Sequence, residues 1–294
     1  MKITEDINRI ELLILIYSFV DDFIKSITQD LQYAPPTKTF NLTIAELVSL
    51  AIFRYLMGFK TWKEFYKFIK TYHQQDFPNL PKYGNFLRAM NRLSFFAYFM
   101  QQGFLNFFKK ITKRRDIKFV DSTKLKVCRN KREFTHQVCK NIARKGKSSI
   151  GWFYGFKLHI ICNELMQILE FTITPGNTDD REGLEMIWND IFGMIIADAG
   201  YIGKKRQEKA FNLGKRLLTA VKANMKKMMT FMQHILLKLR QRVETVYSVL
   251  KLRLGIETTL PRSPLGYFAH YIWCILAYQF KKYCDYVFNK VPLA

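Results

Sequence analysis

Acidic residues are scarce in this chain. Asp and Glu number 24 against 47 Lys and Arg, giving a net charge of +23 over 294 residues. Such a balance draws the chain toward polyanions, nucleic acid first, because Lys and Arg release condensed counterions from phosphates. A ribosome-associated or merely lysine-rich protein has the same balance, and an A+T-rich genome also enriches Lys, Ile, Phe, Tyr and Asn. Cysteine is scarce too. Five cysteines, an odd number in a chain this long, form no disulfide framework, which suggests a reducing, cytoplasmic setting. Long apolar runs are missing. Residues 10–20 are interrupted by Glu11 and residues 268–280 by His270; both fall short of the roughly 20 residues that span a bilayer and read as core helices. The opening MKITEDINRI puts two acids before its apolar stretch, which is wrong for a secretory signal. Internal repeats and low-complexity linkers are absent as well, apart from one basic segment. Hydrophobic residues are plentiful, at 49%. That excludes wholesale disorder, and the length allows one large domain or two smaller ones.

Residues 1–116 read as helical. Thr43 precedes an apolar pattern at Ile44, Leu47, Val48, Ala51 and Ile52, with Glu46 three residues after it, the signature of a capping box. Trp62, Phe65, Tyr66 and Ile69 continue at helical spacing until Pro78 and Pro81 interrupt. The helix that resumes at Phe86 carries Arg88 and Arg92 on one face. It is either a DNA-recognition helix or a plain bundle helix with solvated arginines. At Ile117 the pattern changes to strands, at residues 117–127, 156–162 and 168–174, the last two split by Asn163 and Glu164 as a hairpin. A helix from Asp179–Asp180, an apolar strand at 194–197, a helix from Lys204, a strand at 216–221 and a long helix over 225–254 follow. Three strands in hairpin order and then alternation with helices predict an α/β mixed sheet flanked by helices. The predicted domains are 1–116, helical, and 117–294, with a basic segment at 129–149 and a C-terminal helix from about 264 that packs on the sheet.

Two aspartates share an unusual placement. Asp121 follows Phe119 and Val120 on a strand, and Asp198 ends the apolar strand at Ala197. An acid beside an apolar strand costs stability unless positive charge meets it, and strand ends in α/β sheets are where sites cluster. A third acid, Glu244, stands alone among ten Lys and Arg over residues 215–253. On a helix, Arg240, Glu244 and Lys251 fall near one face. Exposed salt-bridged faces have the same spacing, but together with the aspartates the set suggests an oxygen-ligand site for Mg²⁺.

The order FVDST, IIADAGY and R-x₃-E-x₆-K resembles the DDE transposases of bacterial insertion sequences. Arg240, Glu244 and Lys251 match three positions of that group's Y-x₂-R-x₃-E-x₆-K signature, and Leu237 stands where the group has Tyr. GWFYGFKLH and TPGNTDDR also resemble the group's strands before its second Asp. Many relatives carry Lys, Arg or Ser where this chain has Ala199. The nearest resemblance is to the insertion-sequence family numbered 982, good over residues 117–270 and looser over the N-terminal helices. It implies a ribonuclease-H-like fold with Asp121, Asp198 and Glu244 as catalytic metal ligands for two Mg²⁺ (or Mn²⁺) ions. The implied activity is cleavage at element ends and joining of the 3′-OH to target DNA. The implied partner is double-stranded DNA in an at least dimeric assembly, in the bacterial cytoplasm and on the nucleoid when bound. The alternatives are a metal-dependent nuclease without strand joining and a non-enzymatic DNA-binding protein descended from a transposase. The phosphate-gripping candidates are Arg129, Lys131, Arg132, Arg144, Lys145, Lys147, Lys222, Arg240 and Lys251, with Arg88 and Arg92 in the helical domain that would bind the element's ends.

Other candidates read more plainly. Glu257 lies past Gly255 and lacks the flanking cations, and Asp179 and Asp180 look like helix caps. Cys128, His136 and Cys139 match no zinc spacing. Trp152 and Tyr154, just after the basic segment, suit either stacking on an unpaired base or a place in the core.

Overall fold

Local sequence sets the helix starts. Thr43 and Glu46 close the anticipated capping box, with Glu46 N–H on the Thr43 hydroxyl at 3.1 Å and the Glu46 carboxylate on Thr43 N–H at 2.6 Å. Thr61 with Glu64 and Thr230 with Gln233 do the same. The computed structural model describes residues 8–31, 42–113, 116–148, 151–201, 203–219 and 230–288. Among these, no helix is long and apolar enough to cross a membrane.

Two units emerge, one within residues 1–102, 252–256 and 261–294, the other within 103–251 and 257–260. The first is helical: α1 (Arg9–Leu31), α2 (Ile44–Leu56), α3 (Trp62–Tyr72), α4 (Tyr83–Arg92), the first half of α5 (Ser94–Ile111) and α10 (Pro264–Phe288). Here the structure corrects the sequence reading. The C-terminal helix α10 packs among the N-terminal helices rather than on the sheet. Trp273 Nε1 donates to Met90 O at 3.0 Å, Gln101 to Ile272 O at 2.6 Å, and the Tyr55 hydroxyl meets His270 Nδ1 at 2.8 Å. Burial holds the His270 ring neutral, its pKa lowered to about 4.

The second unit is a six-stranded mixed sheet: β1 (Lys118–Cys128), β2 (Arg144–Ser148), β3 (Gly151–Asn163), β4 (Ile168–Pro175), β5 (Gly193–Ala197) and β6 (Lys215–Thr219). β3 pairs antiparallel with β1 on one edge, and with β2 and β4 in succession on the other. β1 then pairs parallel with β5, and β5 parallel with β6. Helices α6 (Asp180–Ile187) and α7 (Lys204–Asn212) connect the later strands, and α8 (Phe231–Lys238) and α9 (Gln241–Ser248) follow β6. This is the expected ribonuclease-H-like α/β arrangement.

Two details depart from expectation. β2 lies inside the basic segment, where RKGKS carries no apolar alternation to announce a strand. The long helix expected over 225–254 breaks at Leu239–Arg240 and ends in a π-helical turn, Val249–Arg253; its first residues, like Lys222, lie outside the described residues.

Candidate active site

β1 and β5 run parallel only briefly, with Lys118 opposite Ile195 and Phe119 opposite Ile196. Past that register the strands part. Asp121 and Asp198 each stand two residues beyond the last paired position, so the divergence sets both at its mouth. Open α/β sheets place ligands in such crevices. Phe119 and Val120 are fully buried beneath the site.

Asp121 is the most perturbed acid there, with a side chain 22% exposed. Burial pushes its carboxyl up to about 6. The Ser122 N–H, 2.8 Å from Oδ1, and Arg240 oppose that rise, while Asp198 and Asp180 add to it. Asp198 itself is exposed, just past β5, with its carbonyl accepting the Tyr201 N–H at 3.0 Å.

Glu244 arrives on α9, which is docked by buried Val243 and Val246 and by Tyr247. The Tyr247 hydroxyl donates to Asp121 O at 2.5 Å and Leu158 O at 3.2 Å, tying the helix to β1 and β3. Arg242 donates to Glu164 O. The Arg240 guanidinium then bridges two of the predicted acids, with Nη1 3.2 Å from Asp121 Oδ2 and Nη2 2.7 Å from Glu244 Oε1. Arg240 therefore faces carboxylates in this structure. Among the described residues, no three His, Cys, Asp or Glu side chains are placed to hold one metal ion. The donors are nevertheless of the kind hard cations take, all carboxylate oxygens, and the half-buried Asp121 carboxyl lies where positive charge is wanted.

Asp180 belongs beside this group, although its sequence suggests a helix cap. Ser122 Oγ donates to Asp180 Oδ1 at 2.6 Å, and Lys157 Nζ lies 3.0 Å from the same oxygen. Lys157 was the available signal, a lone cation among the apolar residues of β3. Asp179, by contrast, does cap α6. Its carboxylate accepts the Arg181 N–H at 2.8 Å, and the Arg181 side chain holds its pKa down to about 2. Tyr201, buried among Asp121, Asp180 and Asp198, has its hydroxyl pKa raised well above the ordinary value, chiefly by burial.

The basic candidates divide. Arg129, Lys131, Arg132, Arg144, Lys145 and Lys147 are exposed, and Lys145 pairs with Glu133 at 3.0 Å. Lys251 pairs with Glu257 at 3.4 Å. Arg88 and Arg92 are exposed on α4, with Arg88 also bonded to Asn85. Cys128 and Cys139 are free and buried, and burial pushes the Cys139 thiol up to about 11.

The transposase DDE domain family matches residues 111–264, just over half of the chain and a span that holds Asp121, Asp198, Arg240 and Glu244. The chain belongs to the DDE transposases. This transposase is also similar to a solved cryo-electron-microscopy structure described as the piggyBac transposase synaptic complex with hairpin DNA. The identity is 9% and the TM-score 0.52, over 97% of this chain and 75% of that one, so the likeness is one of fold. No curated protein matches the chain.

Proposed function

We propose that this transposase hydrolyses a DNA phosphodiester at the ends of its element and joins the freed 3′-OH to target DNA. In this proposal Asp121, Asp198 and Glu244 are the catalytic acids and hold two Mg²⁺ (or Mn²⁺) ions. The observation that carries it is the common register of Asp121 and Asp198 at the parting of β1 and β5, with Glu244 joined to Asp121 through one guanidinium. Such ions, when bound, activate the attacking oxygen and stabilise the leaving one. The chain's own work is positioning and charge. Arg240 serves as a stand-in cation for Asp121 and Glu244. Tyr247 fixes the α9 backbone against β1, and the exposed cations of 129–147 grip phosphates without reading sequence. Recognition of the element's ends falls to the N-terminal helices with Arg88 and Arg92, and holding two ends together calls for at least a dimer. The motif order supports membership of the insertion-sequence family numbered 982 and a bacterial, cytoplasmic setting.

One observation favours a second reading, a DNA-binding protein without catalysis: the three acids are not gathered around a single point. Replacing Asp121 by Asn separates the two. The transposase reading expects metal-dependent cleavage of element-end DNA to fall to background in Asp121→Asn while DNA binding persists. A parent protein inactive with both Mg²⁺ and Mn²⁺ supports the binding protein instead. Joining of a pre-cut end to a plasmid distinguishes transposase from simple nuclease.

A further inference from the structure

The β2–β3 hairpin sets Lys147 directly opposite Trp152 and Lys145 opposite Tyr154, so all four side chains project to one face of the sheet. Their fates differ. Tyr154 is 7% exposed and serves the core, whereas Trp152 is 54% exposed. The ammonium groups of Lys145 and Lys147 each lie 5.8 Å from the indole centroid, within cation–π range. Asn130 Nδ2 donates to Trp152 O at 2.8 Å, which anchors the backbone that carries the ring.

This indole lines a cavity of about 500 Å³, within the roughly 300–1,000 Å³ typical of small-ligand sites. Lys145, Lys147 and Lys157 line it together with Trp152, and so do Asp180 and Gly200. Gly200 is two residues past Asp198, and Asp180 is bonded to Ser122, the neighbour of Asp121. The cavity therefore reaches two residues that adjoin the candidate active site, Asp180 and Gly200, as well as an aromatic platform flanked by cations. Part of its lining is bare backbone. A Cβ on Gly146 would stand 2.0 Å from Gly176 O, and one on Gly176 would stand 2.5 Å from Arg144 O.

In a duplex, each base face is already covered by its neighbours. An exposed indole inside a concave, cation-flanked site is therefore matched by a base that has left the stack. Resting on the transposase reading above, we propose that this cavity takes one unpaired DNA nucleotide beside the phosphate to be cut. Its base stacks on Trp152, and its flanking phosphates are held by Lys145 and Lys147.

The test uses the full chain in EDTA, so that binding is read apart from cleavage. Two duplexes of one sequence are titrated, one with 2-aminopurine unpaired as a single-base bulge and the other with it paired. The unpaired probe should bind more tightly and lose fluorescence as its base stacks. Trp152→Ala should weaken that probe between about 5- and 150-fold, the range expected of one aromatic–base stack, and leave the paired probe nearly unchanged. Trp152→Phe should retain most of the preference. Equal binding of the two probes by the parent, a preference that survives Trp152→Ala, or an equal loss for both probes overturns the pocket and leaves the transposase reading standing. Failure of the parent to bind either probe overturns both.

Discussion

Asp121 concentrates the site's electrostatic cost in one carboxyl group. Its pKa of about 6 in the folded protein lies above the value of about 4 expected when unfolded, so the folded chain binds this proton more tightly. The stabilisation from that proton is fully present below pH about 4 and is lost as pH rises through about 6. In metal-free protein at pH 7.5, Asp121→Asn should therefore raise stability by about 1–3 kcal/mol, since Asn keeps one acceptor oxygen for Ser122 N–H without the half-buried charge. At pH 4 the advantage should vanish. Thermal melts with chelator at the two pH values measure this, and a lower midpoint for the Asn variant at pH 7.5 would contradict it. As candidates, the three acids were legible at this scale. An acid after Phe119–Val120, another closing an apolar strand and a single Glu in a basic stretch each stand against their surroundings. Arg240 was legible as part of a helix face, but its turn toward Asp121, 119 positions away, has no local cause.

At the scale of elements, α6 owes its seat to a missing side chain. A Cβ on Gly183 would stand 2.3 Å from the ring of His159, which is fully buried and bonded through Nε2 to Thr174 Oγ1 at 2.9 Å. Burial holds that ring neutral, with its pKa lowered to about 4. Gly183→Ala should destabilise the protein by about 1–3 kcal/mol through overpacking, although alanine is the better helix former. Chemical denaturation would show it, and an unchanged or higher midpoint would mean that the His159 ring moves aside freely. Strands with apolar alternation and helices with caps were readable from sequence. β2 was not, because an edge strand of polar residues draws its stability from pairing with β3 rather than from burying its own side chains. The break at Leu239–Arg240 escaped for a related reason, since neither residue is a helix breaker and packing decides where α8 ends and α9 begins.

Over the whole molecule the excess of 23 positive charges governs how DNA is met. If the exposed cations engage about 6–10 phosphates, affinity for duplex DNA should fall by roughly a thousandfold or more between 50 and 200 mM salt. Anisotropy titrations across that range measure the slope, and a flat response would remove the electrostatic grip assigned to residues 129–147. Lys147→Gln should make that slope shallower by about one phosphate's worth and weaken all sequences alike.

Composition and spacing alone determined the excess of positive charge, the α/β order of elements, the helix caps and which three acids are the candidates, because these follow from charge, periodicity and residue type read along the chain. Tertiary structure decided which residues meet. The parallel register of β1 and β5 aligns two aspartates 77 positions apart; Arg240 bridges Asp121 and Glu244; Asp180 joins through Ser122; and of two neighbouring aromatics Tyr154 is buried while Trp152 faces solvent. Those outcomes depend on pairing between distant strands and on which side chains the core has room to enclose, and neither is written in any local stretch of sequence.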